Sequence, residues 1–85
     1  MNAPIIEIGH FSILAVEYET GILLNKQFKR LNISFDNNNV YWIFKDRFSA
    51  LEFMKERIGT NNSLEFSLFN ANGDFISIYN KETNI

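Results

Sequence analysis

"FSLFNANGDFISIY", Phe66 to Tyr79, reads as two short strands around a turn. Large apolar side chains stand at odd and even positions alike, whereas a sheet with one wet face alternates apolar and polar residues. The turn sets the alternatives. With Asn72-Gly73 as a two-residue loop, Phe66 opposes Tyr79 and Leu68 opposes Ser77. Ile76 and Ile78 then lie on the face away from Leu64, Phe66 and Leu68. With a three-residue loop, Ala71-Asn72-Gly73, and Gly73 in the left-handed region, Phe66 opposes Ile78 and Leu68 opposes Ile76. That register gathers Leu64, Phe66, Leu68, Ile76 and Ile78 on one face and is the preferred expectation. Its other face holds Glu65, Ser67, Phe69, Phe75, Ser77 and Tyr79, with Phe69 directly across from Phe75.

Upstream, "SALEFMKERI", Ser49 to Ile58, carries the marks of a helix. Ser49 and Glu52 have capping-box spacing, Phe48 and Phe53 have staple spacing, and Asp46 is a rival cap one turn earlier. Ala50, Leu51, Met54 and Ile58 share an apolar face at about 100° per residue. Gly59 suits the C-terminal cap. Before the helix, "LNISFDNNNVYWIF", Leu31 to Phe44, reads as a hairpin turning at Asp36–Asn39. Pairing Phe35 with Val40 puts Leu31, Ile33, Phe35, Val40, Trp42 and Phe44 on one face, and Tyr41 and Ile43 on the other.

"FSILAVEY", Phe11 to Tyr18, is rich in strand formers. Ile5–Ile8 is a further strand, or the same strand before a bulge at Gly9. Ile22–Leu31 is ambiguous between helix and strand, and the close turns favour strand. The expected fold is therefore α+β in a single domain, residues 1–85. It is one antiparallel sheet of five or six strands with one helix on one face, ordered β-β-(β)-β-β-α-β-β along the chain. Small bacterial domains commonly show this order. The expected core is Ile13, Leu14, Val16, Leu31, Ile33, Phe35, Val40, Trp42, Phe44, Leu51, Met54, Ile58, Leu64, Phe66, Leu68, Ile76 and Ile78.

Composition narrows the function classes. The chain has no cysteine, so disulfides and thiolate metal sites are excluded. A net charge of −2 argues against a broad nucleic-acid footprint. No apolar run reaches the ~20 residues of a membrane-spanning helix. The start lacks a basic leader segment, so the expected compartment is the cytoplasm. His10 has no nucleophile or carboxylate at a catalytic spacing. Glu7, Glu17 and Glu19 read as a solvated edge rather than a metal cluster. Lys26, Lys29 and Arg30, with Lys45 on the neighbouring strand, form a small basic group that could serve single-strand binding together with the aromatic residues Tyr41, Phe69, Phe75 and Tyr79. There is no phosphate loop, nucleophile elbow or zinc spacing.

An enzyme is not expected, and neither a cofactor, a metal nor a small-molecule substrate is implied. A lone helix covers one side of a sheet, so the aromatic side of the final hairpin wants its own cover. The expectation is a non-enzymatic protein-interaction module, self-associating as a homodimer through Phe69, Phe75, Tyr79, Tyr41 and Phe53. The alternatives are an inhibitor or immunity-type protein that binds another macromolecule, and a weak single-stranded nucleic-acid binder.

Overall fold

The computed structural model describes residues 3–30 and 40–83. The sequence-predicted strand Leu31–Phe35 and the turn at Asp36–Asn39 lie outside them. Four strands and one helix follow one another: β1 (Phe11–Glu17), β2 (Tyr41–Phe44), α1 (Arg47–Thr60), β3 (Leu64–Phe69) and β4 (Phe75–Tyr79). The strands form one antiparallel sheet in the order β2-β1-β3-β4. Because β2 and β3 both run against β1, they are parallel to each other, and α1 connects them as a split βαβ unit. The α+β class, the single antiparallel sheet and the single helix agree with the sequence.

The strand count and the sheet order do not. Among the described residues there are four strands rather than five or six. Ile5–Ile8 is no strand. Gly9 at φ 86° and a turn closed by the His10 N–H on the Glu7 carbonyl (2.9 Å) break the backbone just before β1. Ile22–Leu31 is neither helix nor strand within its described part. Leu23 bridges Val16 and Leu24 bridges Arg30, and a tight turn over Asn25–Lys29 stops any longer ladder. β1 is central because it pairs on both sides, with Ile13 opposite Trp42 on one neighbour and opposite Leu68 on the other.

The helix starts at the earlier of its two candidate caps. Asp46 is extended, and its Oδ1 accepts the Ser49 N–H at 2.7 Å, which places Ser49 inside the first turn. The Phe48–Phe53 staple does not form, and Phe48 is 70 % exposed. Gly59 is helical, and Asn61 is the C-cap, its N–H bonded to the Arg57 carbonyl. The Ser49 amide and hydroxyl hold the Asp46 carboxyl below the ordinary aspartate pKa. A depressed carboxyl adds stability that is present above its unfolded pKa and lost as pH falls through its folded one. Asp46→Asn keeps a capping oxygen but cannot titrate. It is expected to match the parent near neutrality and to lose less thermal stability between about pH 5 and pH 2. Melting curves across that range check this.

The core lies between α1 and one face of the sheet. Ile13, Ala15, Leu24, Ala50, Met54, Leu64, Phe66 and Leu68 are buried there. An aromatic group closes it: Phe28 stacks on Trp42 at 5.4 Å, and Phe53 packs on Trp42 (5.5 Å), Phe44 (5.3 Å) and Phe66 (6.1 Å). Ala15, Leu24 and Ala50 were absent from the expected core. Leu14 and Val16, expected in it, lie half-buried on the other face of β1.

The last hairpin combines the two registers read from the sequence. Its loop is the three-residue one, with Gly73 at φ 84° and its N–H on the Asn70 carbonyl (3.0 Å). Phe69 opposes Phe75 as that loop requires. One step further on, Leu68 opposes Ser77 and Phe66 opposes Tyr79, as in the register not preferred. The change is a β-bulge in which Ile76 and Ser77 together face one step of β3. Beyond the bulge every side chain changes face. Tyr79 therefore turns to the helix side and packs against the core, while Ile78 leaves the expected core and is exposed.

Candidate interaction surface

The face away from α1 is built from alternate strand positions: Ser12, Leu14 and Val16 on β1, Tyr41 and Ile43 on β2, Glu65, Ser67 and Phe69 on β3. The register adds Phe75, opposite Phe69, and Ile78, opposite Ser67, on β4. Phe69 is the hub of its aromatic part. Its ring meets Phe75 edge-on at 6.1 Å and Tyr41 edge-on at 6.0 Å. Tyr41, placed by sequence on a mostly polar outer side, is buried, and burial pushes its phenol above the usual tyrosine pKa. Ser12 is fully buried between β2 and β3, and its hydroxyl has no hydrogen-bond partner among the described residues.

Three large apolar side chains on this face stay in water: Phe75 is 56 % exposed, Ile43 53 % and Ile78 43 %. Glu65 is the single charged residue among these strand positions, and it accepts a hydrogen bond from Asn80 Nδ2 at 2.9 Å. The opposite side of the molecule differs in kind. The outer surface of α1 exposes Arg47, Glu52, Lys55, Glu56 and Arg57.

Of the interface residues read from sequence, the structure brings Phe69, Phe75 and Tyr41 together. It removes Tyr79 and Phe53, which pack on the helix side, Phe53 with the Arg57 guanidinium 5.0 Å above its ring. Ile43 and Ile78 are the residues the sequence-based set missed; Ile43 already stood beside Tyr41 in the hairpin register, whereas the preferred register put Ile78 in the core. The signal for Ile78 was the two-residue register, which places it away from Phe66.

The other chemistry-bearing residues lie elsewhere. His10 Nε2 sits 3.4 Å from the Glu7 carboxylate, a local pair on the N-terminal arm. Glu17 accepts two hydrogen bonds from Arg30, Nε at 2.8 Å and Nη2 at 3.1 Å, and one from Thr20 Oγ1 at 2.6 Å. Arg30, then Thr20, holds the Glu17 carboxyl below its usual pKa, and Glu17 raises that of Arg30. Among the described residues no group of three or more possible metal ligands occurs, and no helix is long and apolar enough to cross a membrane. No protein-family model, no curated protein and no solved structure matches this chain.

Proposed function

We propose that this chain is a non-enzymatic protein-interaction module that self-associates through the sheet face opposite α1. The supporting observation is the exposed trio Phe75, Ile43 and Ile78 on a face whose strand positions carry one charge. Interface centres are depleted of charge and enriched in aromatic residues. A second copy is the occupant that fits best. The molecule is flat, 34 × 32 × 17 Å, and its broad side offers on the order of the ~800 Å² per partner that a stable interface needs. A two-fold arrangement lays the same patch on itself, and a small domain gains in this way the core it lacks.

The basic group favours this proposal over nucleic-acid binding. Lys26, Lys29 and Arg30 belong to the turn that carries Phe28 onto Trp42 and Phe66, so they border the helix side. Phe69 and Phe75 face the other way, and a strand stacked on them would run without a basic groove.

Light scattering of the full chain at micromolar concentration tests the proposal. The expected particle has twice the 9.9 kDa chain mass. Phe75→Asp is expected to yield a folded monomer. Loss of a central aromatic weakens such interfaces by ~2 kcal/mol or more, roughly 30-fold in Kd, and two-fold symmetry counts it twice. Phe75 suits this test better than Phe69, because Phe75 is exposed whereas Phe69 is half-buried between Phe75 and Tyr41. A parent that stays monomeric at ~100 µM, far above the Kd of ordinary stable complexes, overturns self-association. Capture of one unrelated stoichiometric partner by that monomer then identifies the inhibitor-type alternative.

A further inference from the structure

We propose that the pocket at the C-terminal end of β1 binds a small zwitterion of the α-amino-acid type with an apolar side chain. The pocket holds about 380 Å³ and lies where the end of β1, the start of β3, the C-cap of α1 and the turn over Asn25–Lys29 meet. A volume of that order suits a small organic ligand. Its lining joins two signs of charge to an apolar floor. Leu24 and Leu64, both buried, and Phe28 supply the apolar part.

Arg30 supplies the positive part. Glu17 takes the Nε and Nη2 side of its guanidinium through two parallel bonds, and Thr20 steadies the carboxylate. Held on that edge, the guanidinium meets no second acceptor among the described residues, and a ligand carboxylate has the planar shape that suits its remaining N–H groups. Glu19 and Asn61 supply the negative part. Glu19 lines the pocket and has no cationic partner among the described residues. Asn61 caps the end of α1, where the last carbonyls give the helix its negative pole. An ammonium belongs there. An acid alone would leave Glu19 unanswered and meet its repulsion, and an amine alone would leave the Arg30 edge unused.

The pocket wall is built at a conformational cost. Phe28 has φ 60°, a region that bulky residues rarely occupy. The turn around it repeats that of the last hairpin bond for bond, with Asn25 in the role of Asn70. Phe28 stands where the other turn has glycine.

Titration of the ¹⁵N-labelled full chain with L-leucine, isoamylamine and isocaproate separates the possibilities. Leucine is expected to give saturable shifts at Thr20, Arg30, Asn61 and Ser63, and each half-molecule to bind about tenfold more weakly, the worth of one charged hydrogen bond. Glu19→Gln is expected to weaken leucine by a similar factor while leaving the melting temperature unchanged. Absence of saturable shifts up to ~50 mM, far beyond the Kd of useful binding, overturns the proposal. So does a half-molecule that matches leucine, or an indifferent Glu19→Gln. None of these readouts depends on the oligomeric state, so this site and the association surface stand or fall separately.

Discussion

Phe66→Ala is expected to lower the folding stability by ~3–5 kcal/mol, a large share of what a domain of this size has. Phe66 is fully buried in a central strand, and the rings of Phe28 (6.3 Å), Trp42 (6.3 Å) and Phe53 (6.1 Å) all meet it edge-on. Truncating such a residue costs ~3–5 kcal/mol, the lost burial plus the cavity left behind. An 85-residue domain has a total stability of only about 4–13 kcal/mol. The cavity cannot close easily, because its walls belong to β2, α1 and the Phe28 turn at once. Urea denaturation followed by circular dichroism measures the loss. Phe48→Ala is the comparison, since Phe48 is exposed and lies outside this cluster; its unfolding free energy is expected to stay within about 0.5 kcal/mol of the parent's, the ordinary range for surface changes. A loss below ~1 kcal/mol for Phe66→Ala would mean that the aromatic cluster does not hold the sheet to the helix.

Gly73→Ala is expected to lower the melting temperature by on the order of 5–15 °C. Two penalties coincide there. At φ 84° any Cβ meets left-handed strain, ~1–2 kcal/mol. The added carbon would also stand 2.8 Å from the Ala3 carbonyl oxygen, closer than real Cβ contacts allow. The N-terminal arm is held at this turn, with the Ile6 N–H on the Ala71 carbonyl at 2.8 Å, so relief of the clash loosens the arm. Gly59→Ala is the same chemical change with the opposite sign. Gly59 is helical, and a Cβ there meets nothing within 4 Å. It is expected to stabilise by ~0.5–1 kcal/mol. Paired melting curves that moved in the same direction would contradict the turn geometry.

The two turns show how local chemistry and tertiary packing share control. "NANGD" announces its own fold: Asn70 Oδ1 accepts the N–H groups of Asn72 and Asp74, and Gly73 takes the left-handed position without strain. "NKQFK" forms the same turn, yet nothing in its residues predicts it, because phenylalanine resists that backbone region. Stacking of Phe28 on Trp42 offsets the strain, and Trp42 is distant in sequence. The ambiguity of Ile22–Leu31 had this origin. The association surface was legible in the same partial way. Phe69 and Phe75 face each other because the loop length alone sets that pair. Tyr79 and Ile78 exchange sides because a bulge at Ile76 and Ser77 intervenes.

By itself the sequence determined the α+β class, the helix and both of its candidate N-caps, and the three-residue loop of the last hairpin. Each of these rests on hydrogen bonds and apolar spacing within a few residues. Tertiary structure alone decided that β1 is central, that Asp46 rather than Ser49 caps the helix, and which face each residue of β4 presents. The first depends on pairing between segments far apart in the chain, and the last on a bulge, where one extra residue in one strand reverses every side chain beyond it; the choice of cap is local, and the apolar spacing suited either one.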